Sequence, residues 1–294
     1  MTKPTIGFIG LGQMGRPMIR NLLRSQFHVM GFDVNPQASA SLAQEGNFKA
    51  ATSPTHLAKK CDIVILMLPN SKIVDALLWD GESALAQHLN ASQILVDMGS
   101  SDPVHTRENF TKLAALNIPF CDAPVSGGVK RATDGSLSIM MGGEKSHIEK
   151  IRHVLEALGK TLVHVGSSGA GHAVKALNNY VSAAGLLAVS EALVAAEKFG
   201  IDPHLVNQVF NASTGRNNTT EVKVENFMLS GTFNSGFSLA LMRKDLQTAL
   251  NFIERMGTPD DFVSVCARTW TQAESTLDQG ADHTAMYKFT QERK

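Results

Sequence analysis

The fold of this chain is decided near its start, by the stretch Thr5-Ile6-Gly7-Phe8-Ile9-Gly10-Leu11-Gly12-Gln13-Met14-Gly15. A short apolar run typical of a β-strand passes into the pattern G-x-G-x-x-G, and a helical pattern follows. In such a turn the first glycine allows the tight bend. The second lets the backbone approach a pyrophosphate, and the third lets the helix pack on the strand. The turn from Gly10 to Gly15 therefore predicts a dinucleotide site, and the alternative is a purely structural turn.

A second β-type run, His28 to Asp33, ends in an acidic residue that lies 33 − 12 = 21 residues beyond Gly12. A carboxylate at about this spacing accepts hydrogen bonds from ribose hydroxyls. Because it also repels the 2′-phosphate of NADP, the sequence favours NAD as the cofactor, with NADP possible.

Short β-type runs alternate with helical patterns through the first half of the chain, as in a doubly wound sheet with helices on both faces. The predicted strands are Thr5–Ile9, His28–Asp33, Ile63–Leu68, Ile94–Met98, Pro119–Asp122, Leu137–Met141 and Leu162–Val165. After the turn-rich residues 166–171 the pattern becomes helical throughout. We predict an α/β protein with a Rossmann-type NAD-binding domain at residues 1–168. An all-helical domain for substrate binding and dimerisation follows at residues 169–294.

Ligands of an open α/β sheet lie at the carboxyl ends of the strands. Leu68, Pro69 and Asn70 follow one predicted strand and Ser100 follows the next, so we expect these residues to line the cofactor site. Each of these segments alone is also compatible with a plain turn.

Two further segments carry candidate chemistry. Ser126-Gly127-Gly128 follows another strand, where bare N–H groups and a hydroxyl can hold a carboxylate, although an ordinary glycine turn is the alternative. Lys175, Asn178 and Asn179 share one helix face, and a buried lysine there can act as a general acid or base. The alternative for Lys175 is a solvated or capping lysine near a helix start.

Composition excludes several classes of protein. The 27 Lys and Arg residues balance the 27 Asp and Glu residues, which argues against nucleic acid as a partner. The three cysteines form no CxxC pair, so we expect no zinc site or disulfide, and reduced thiols in a cytoplasmic protein. The longest apolar run, Ile63 to Leu68, is too short to span a membrane, and residues 181–196 predict a buried helix.

Taken together, four motifs make the sequence resemble the β-hydroxyacid dehydrogenase family. This family includes 3-hydroxyisobutyrate dehydrogenases, tartronate semialdehyde reductases and glyoxylate/succinic semialdehyde reductases. The motifs are Phe8–Met18 with Asn21-Leu22, Asp122–Gly128, the K-x-x-N-N pattern at Lys175, Asn178 and Asn179, and Lys244-Asp245-Leu246. Phe237 also matches a position that borders the cofactor in relatives. Ile19 departs from the family, where a small residue is usual at that position.

The resemblance implies a role for each matched residue. Lys175 would protonate the aldehyde oxygen in reduction or accept the alcohol proton in oxidation, while hydride passes to or from nicotinamide. Ser126, Gly127 and Gly128 would hold the substrate carboxylate. Substrate binding would also involve Asn178, Asn179 and Lys244. Asn179 would orient the substrate near Lys175, and Lys244 would approach the cofactor and the active site. No metal is needed, and the sequence has no HxxH or HExxH pattern.

The resemblance also implies a small anionic substrate, a 3-hydroxyacid or its semialdehyde, with 3-hydroxyisobutyrate as the nominal member. Tartronate, glyoxylate and succinic semialdehydes are the alternatives. Asn217 and Asn218 stand where 3-hydroxyisobutyrate dehydrogenases usually have an aromatic residue and serines. They would make the pocket wall more polar, which would favour a substrate with a further hydroxyl or a second acid group. A catalytically silent Rossmann binding module is the alternative of another class. A phosphogluconate dehydrogenase-like decarboxylase would need a longer helical domain than this chain provides.

The helical segment Ala173–Phe199 would extend to roughly 40 Å at 1.5 Å per residue. One small domain does not easily cover an apolar helix of that length. We therefore expect a homodimer or homotetramer.

Overall fold

The computed structural model describes residues 3–293, and these contain nine strands in one sheet. The strands are β1 (Thr5–Ile9), β2 (His28–Phe32), β3 (Phe48–Ala50), β4 (Ile63–Leu66), β5 (Ile94–Asp97), β6 (Phe120–Asp122), β7 (Val125–Ser126), β8 (Leu137–Gly142) and β9 (Gly159–Gly166). Their order is β3-β2-β1-β4-β5-β6-β8-β7, with β9 paired to β8. The first six strands are parallel in the order 3-2-1-4-5-6, so the predicted Rossmann-type fold is confirmed.

The remaining strands extend this sheet in a mixed pattern. β8 runs antiparallel to β6 and β7 and parallel to β9. The sequence pattern did not predict β3 and β7, because strands of three and two residues are too short to show a periodicity.

Short capped helices connect the strands. They are α1 (Gly15–Arg24), α2 (Pro36–Ala40), α3 (Pro54–Ala58), α4 (Ser71–Trp79), α5 (Pro103–Ala115), α6 (Gly128–Asp134) and α7 (Lys145–Leu155), with a 3₁₀ turn at Leu85–His88. Asn35, Ser53, Asn70 and Asp102 cap α2, α3, α4 and α5 by accepting N–H groups of the first turn. Such side chains explain where these helices begin, and each stabilises its helix by about 1 kcal/mol.

The sheet is buried on both faces. Ile6 and Phe8 of β1 pack on one face with Ile65 of β4, whereas Ile9 packs on the other with Leu66. Alternate residues of one strand thus enter two different cores, which is why these strands read as continuous apolar runs.

The second half of the described chain is helical. It comprises α8 (Ala170–Phe199), α9 (Pro203–Ala212), a π-helix (Thr219–Leu229), α10 (Leu239–Arg255), α11 (Asp261–Thr276), a 3₁₀ turn (His283–Ala285) and α12 (Met286–Glu292). Its core is built on α8, where Leu186 packs with Leu246 of α10, Trp270 of α11 and Met286 of α12.

By length and composition α8 is apolar enough to cross a membrane, with a mean hydropathy of 1.4 in its most apolar 18-residue window. Half of that window is buried inside the protein. The core helix of a soluble protein meets the same criterion, so this helix is weak evidence for a membrane.

The chain forms two compact units that divide between Lys175 and Ala176. The Asp122 carboxylate, at the end of β6, accepts the N–H of Gly169 at 2.7 Å and the N–H of His172 at 2.9 Å. These bonds attach the start of α8 to the sheet. They explain why the first compact unit includes the first turn of α8, while the domain boundary between residues 168 and 169 stays a prediction.

Replacing Asp122 should destabilise the first unit strongly. In Asp122→Ala the buried N–H groups of Gly169 and His172 lose a charged acceptor, which should lower the free energy of unfolding by about 3 kcal/mol. Urea unfolding followed by circular dichroism measures the loss. Asp134→Ala, at an exposed carboxylate, is the control and should change it by less than about 0.5 kcal/mol. Equal losses in the two variants would contradict the role given to Asp122.

Candidate active site

The glycine-rich turn from Gly10 to Gly15 joins β1 to α1, and its three glycines meet three different surroundings. Gly10 has φ +100°, and a side chain there would overlap the Met67 carbonyl oxygen. A side chain at Gly15 would overlap the Gly10 carbonyl oxygen. At Gly12, by contrast, a Cβ atom would meet nothing within 4 Å. The first and third glycines are therefore required by packing, while the second borders open space, as the approach of a pyrophosphate to the backbone requires.

Asp33 holds the same turn from the end of β2. Its carboxylate accepts the N–H of Leu11 at 2.7 Å and the N–H of Asn35 at 2.8 Å. The acid therefore organises the turn and remains partly exposed, as an acceptor for ribose hydroxyls requires.

The next two strands end beside their predicted site residues. Leu68, Pro69 and Asn70 follow β4, and Asn70 Oδ1 accepts the Ile73 N–H at 3.1 Å as the cap of α4. Ser100 follows β5 at the same carboxyl edge of the parallel sheet. The Oδ1 atom of Asn70 thus stabilises the start of α4.

A buried polar network under the start of α8 was not predicted from the sequence. His172 is 1% exposed, and its Nδ1 lies 2.9 Å from the Thr106 hydroxyl and 3.7 Å from Asp122 Oδ2. Its Nε2 lies 3.8 Å from Asp97 Oδ2. Because His172 is less than one turn before Lys175, this network fixes the helix segment that carries the candidate general acid.

The other side of the network stiffens the loop after β5. Asp97 accepts the N–H of Gly99 at 2.9 Å and the hydroxyl of Ser101 at 2.7 Å. Asp97 and Asp122 are register partners on adjacent strands. Two acidic residues at the ends of neighbouring buried strands are the signal that could have revealed the network.

The candidate carboxylate-binding segment has an unusual backbone. Ser126 ends β7, Gly127 has φ +133° and Gly128 has φ +64°. A side chain at Gly127 would crowd Arg131, whereas the space beside Gly128 is open. The backbone therefore requires glycine at Gly127 and favours it at Gly128, where the open space gives an anion room to approach.

On α8, Lys175 is half-buried, Asn178 is exposed and Asn179 is buried. Asn179 accepts a hydrogen bond from the Asn178 amide at 3.1 Å and donates to Asp245 Oδ2 at 2.6 Å. Lys244 Nζ lies 3.2 Å from Asp245 Oδ1. Asp245 thus joins two predicted residues, Asn179 and Lys244. In the sequence Asp245 is only the middle residue of the Lys244-Asp245-Leu246 motif, and nothing in that pattern predicts its role.

Phe237 belongs to a second rigid cluster in the helical unit. Its N–H donates to Asp282 Oδ2 at 3.2 Å, and the His283 ring packs edge-on against its ring at 5.6 Å. Burial raises the pKa of Asp282, but hydrogen bonds from His283, Thr284 and Ser235 outweigh it and hold this pKa well below its usual range. The carboxylate therefore stays charged and orders the loop that presents Phe237.

Asn217 does not present a free polar wall. Its Oδ1 accepts the Thr219 N–H at 2.8 Å, and its amide donates to the Gly215 carbonyl oxygen at 3.2 Å. The Oδ1 atom thus binds the N–H of the first residue of the π-helix, and the amide group binds the turn before it. The expectation of a polar wall at Asn217 is therefore weakened, and Asn218 is exposed.

Within residues 3–293 no group of three or more His, Cys, Asp or Glu side chains is placed to hold a metal ion. Burial raises the pKa of Cys121 and Cys61 to about 12 and of Cys266 to about 11. These three groups are neutral thiols and do not supply a nucleophile.

Both halves of the chain match known families. Residues 5–166 match the family described as the NAD binding domain of 6-phosphogluconate dehydrogenase. Residues 169–290 match the family described as NAD-binding of NADP-dependent 3-hydroxyisobutyrate dehydrogenase.

Individual relatives cover nearly the whole chain. A 2-(hydroxymethyl)glutarate dehydrogenase of Eubacterium barkeri is 39% identical over 83% of this chain and 81% of its own length. A 2-hydroxy-3-oxopropionate reductase of Escherichia coli (strain K12) is 33% identical over 96% of this chain and 95% of its own. The solved 3-hydroxyisobutyrate dehydrogenase of Mycobacterium tuberculosis with L-serine has a TM-score of 0.91 at 30% identity and covers 98% and 99% of the two chains.

The glycines of the turn predict opposite defects in two matched variants. Gly12→Ala should fold normally, because its Cβ meets nothing within 4 Å, but should weaken NAD binding about tenfold or more by filling the pyrophosphate's space. Gly15→Ala should lower the melting temperature by several degrees, because its Cβ overlaps the Gly10 carbonyl oxygen. Fluorescence titration with NADH and thermal unfolding measure the two effects. Unchanged NADH affinity in Gly12→Ala would refute the assignment of this turn.

Proposed function

The chain belongs to the β-hydroxyacid dehydrogenase family, and on that premise we propose that Lys175 is the general acid/base for interconversion of a small 3-hydroxyacid and its semialdehyde. The protein is an NAD(P)-dependent oxidoreductase acting on CH–OH groups. The observation that carries the assignment is the α8 face, where Lys175 stands one turn before Asn179, which Asp245 holds.

The nicotinamide cofactor supplies or accepts the hydride. In reduction Lys175 gives a proton from Nζ to the aldehyde oxygen as that oxygen gains negative charge. In oxidation it takes the alcohol proton. Asp122 and His172 support this step indirectly, since they fix the start of α8. A general acid or base held in this way contributes about 10²–10⁴-fold to rate.

Substrate binding is assigned residue by residue. Ser126, Gly127 and Gly128 hold the carboxylate next to the reacting carbon through a hydroxyl and backbone N–H groups. Asn178 and Asn179 orient the substrate on α8. The Asp245 carboxylate keeps the Asn179 amide in one orientation, so the entropy of ordering this side chain is already spent before substrate binds.

We propose 3-hydroxyisobutyrate as the nominal substrate, with tartronate, glyoxylate and succinic semialdehydes as alternatives. The relatives support this range, since they include 3-hydroxyisobutyrate dehydrogenases, a 2-hydroxy-3-oxopropionate reductase and a 2-(hydroxymethyl)glutarate dehydrogenase. Every name in this range denotes a small acid or semialdehyde.

We also propose that NAD is preferred over NADP. The support is Asp33, whose carboxylate ends β2 and is held by the N–H groups of Leu11 and Asn35. A fixed negative charge accepts the ribose hydroxyls of NAD and repels the extra phosphate of NADP.

Removing Lys175 should separate chemistry from cofactor binding. Lys175→Ala should lower kcat by about 10²–10⁴-fold, because the proton route is lost, while NADH affinity changes less than about twofold. Turnover is measured with 3-hydroxyisobutyrate, tartronate semialdehyde and succinic semialdehyde. Lys150→Ala, at an exposed lysine of α7, is the control. Near-normal turnover in Lys175→Ala would refute its role, and no turnover of any compound by the wild type would favour a silent binding module.

Neutralising Asp33 should reduce the discrimination between cofactors. The wild type should use NAD at least about tenfold more efficiently than NADP by kcat/KM. Asp33→Asn should narrow that ratio about tenfold, because the amide removes the repulsion yet still accepts the Leu11 N–H. Asp80→Asn, at an exposed site, should leave the ratio unchanged. A wild-type preference for NADP would contradict the proposal.

A further inference from the structure

Lys223 is a buried cation to which the proposed mechanism gives no role. It lies in the π-helix Thr219–Leu229 and is 8% exposed, whereas lysine is almost never buried unless it is paired. Burial lowers its pKa to about 8, against the opposing effect of the Asp282 charge. Lysine therefore remains mostly charged at neutral pH in a dry environment. Buried cations and π-helical segments both concentrate at functional sites.

The contacts of Lys223 direct its ammonium group to α8. Nζ donates to the Ser182 hydroxyl at 3.3 Å, a long bond for a charged donor. Ser182 follows Asn178 and Asn179 at positions i+4 and i+3, so all three share one helix face. From Asn178 to Ser182 the helix rises about 6 Å. Lys223 therefore reaches the proposed substrate-binding face one turn beyond the asparagines.

The other charges of this region are already paired. Arg216 is exposed and lies 3.4 Å from Glu221, and Lys244 lies 3.2 Å from Asp245. An ammonium group has three N–H donors, and for Lys223 the structure records one hydrogen bond and, among residues 3–293, no ion pair. Lys223 is thus a buried cation beside this helix face that, within the described part of the chain, has no carboxylate in an ion pair with it and has donor capacity left for an incoming anion.

We propose that Lys223 binds a second carboxylate of the substrate, so that the preferred substrate is a 3-hydroxy diacid or its semialdehyde. This inference rests on the proposed function and replaces its nominal substrate, 3-hydroxyisobutyrate, with a diacid that undergoes the same reaction. An extended five-carbon diacid separates its carboxyl groups by four carbon–carbon bonds of about 1.5 Å each, or about 5 Å end to end. When a hydroxymethyl group stands next to the first carboxylate, the reacting carbon lies the same four bonds from the far carboxyl carbon. That length is close to the helix rise of about 6 Å between Asn178, which orients the reacting end, and Ser182.

Pairing with a carboxylate resolves an otherwise unfavourable burial. An ammonium group out of water is destabilised unless it is paired and hydrogen-bonded. Asp282 acts on Lys223 without forming an ion pair with it. A diacid supplies an opposite charge in direct contact with Nζ, whereas a monoacid leaves Lys223 as it is in the free protein. Discrimination arises because the same site interacts differently with two substrates that are alike at the reacting carbon.

Two acids make a matched test of this inference. 2-(Hydroxymethyl)glutarate and 3-hydroxyisobutyrate both carry a hydroxymethyl group next to a carboxylate, and they differ only in having a carboxyethyl or a methyl substituent. NAD-linked oxidation by the wild type should favour the diacid by about tenfold or more in kcat/KM. In Lys223→Met the diacid-to-monoacid ratio should fall about tenfold or more, chiefly through the KM of the diacid. Lys223→Arg should keep part of the ratio.

Controls separate specificity from folding. Lys288→Met makes the same substitution at an exposed lysine of α12 and should leave the ratio unchanged. Melting temperatures identify any variant that folds poorly, and Lys223→Gln then replaces Lys223→Met as the uncharged variant.

The wild-type ratio should also depend on pH. Because Lys223 is charged below a pKa of about 8, the preference for the diacid should hold at pH 7 and decline as the pH rises through 8. Because the diacid-to-monoacid ratio compares two substrates of the same enzyme, any ionisation that affects both reactions equally cancels from it. The charged groups around Lys223 are Asp282, with His283 beside it, and the exposed Glu221 and Glu225 of its own helix. In Lys223→Met the ratio should no longer vary over this range.

The outcomes distinguish this inference from the proposed function. If the wild type oxidises both acids equally well, or Lys223→Met changes both alike, the role of Lys223 is refuted while the dehydrogenase function stands. If the wild type oxidises neither acid nor reduces any semialdehyde of the panel, the proposed function fails and this inference fails with it.

Discussion

The interaction on which the rest of the site depends is the pair of hydrogen bonds from the start of α8 to the Asp122 carboxylate. A β-strand ends in an acid that is 0% exposed, and a helix begins on it. Each bond has a charged acceptor in a dry environment, where such bonds are strong and an unpaired charge is costly. The sheet and the first turn of α8 are thereby held together, and the orientation of Lys175 follows from that attachment.

The arrangement also explains why two acids occur at adjacent strand ends. Asp97 serves the loop after β5 through Gly99 and Ser101, and Asp122 serves α8. His172 lies near both carboxylates and contacts Thr106 of α5. Loops at the carboxyl edge of a parallel sheet are normally the mobile part of the fold. Here buried hydrogen bonds hold them to the strand ends, which suits a surface that must hold a cofactor and a substrate in register.

The fold and the first part of the site could be predicted from the sequence because their signals are local. The turn from Gly10 to Gly15 needs glycine for reasons of backbone geometry, and Asp33 follows it at a fixed spacing. Strands buried on both faces appear in the sequence as continuous apolar runs, and such runs can be recognised without knowing the tertiary structure. The partners of polar side chains could not be predicted, because they are far apart in sequence. Asn179 donates a hydrogen bond to Asp245, and no pattern in the amino-acid sequence relates these two distant positions.

The same limit applies to the residues that select a substrate. Asn217 is a polar residue of the kind expected in a polar wall, but its Oδ1 accepts the N–H of Thr219, the first residue of the π-helix. Lysine is usually a surface residue, yet tertiary packing leaves Lys223 only 8% exposed. The number of donors and acceptors on a side chain therefore says little about substrate specificity until its hydrogen-bond partners within the fold are known. A buried charge with unused donors is destabilising in the free protein, and a complementary anion removes that destabilisation, so it discriminates between ligands that carry the anion and ligands that lack it.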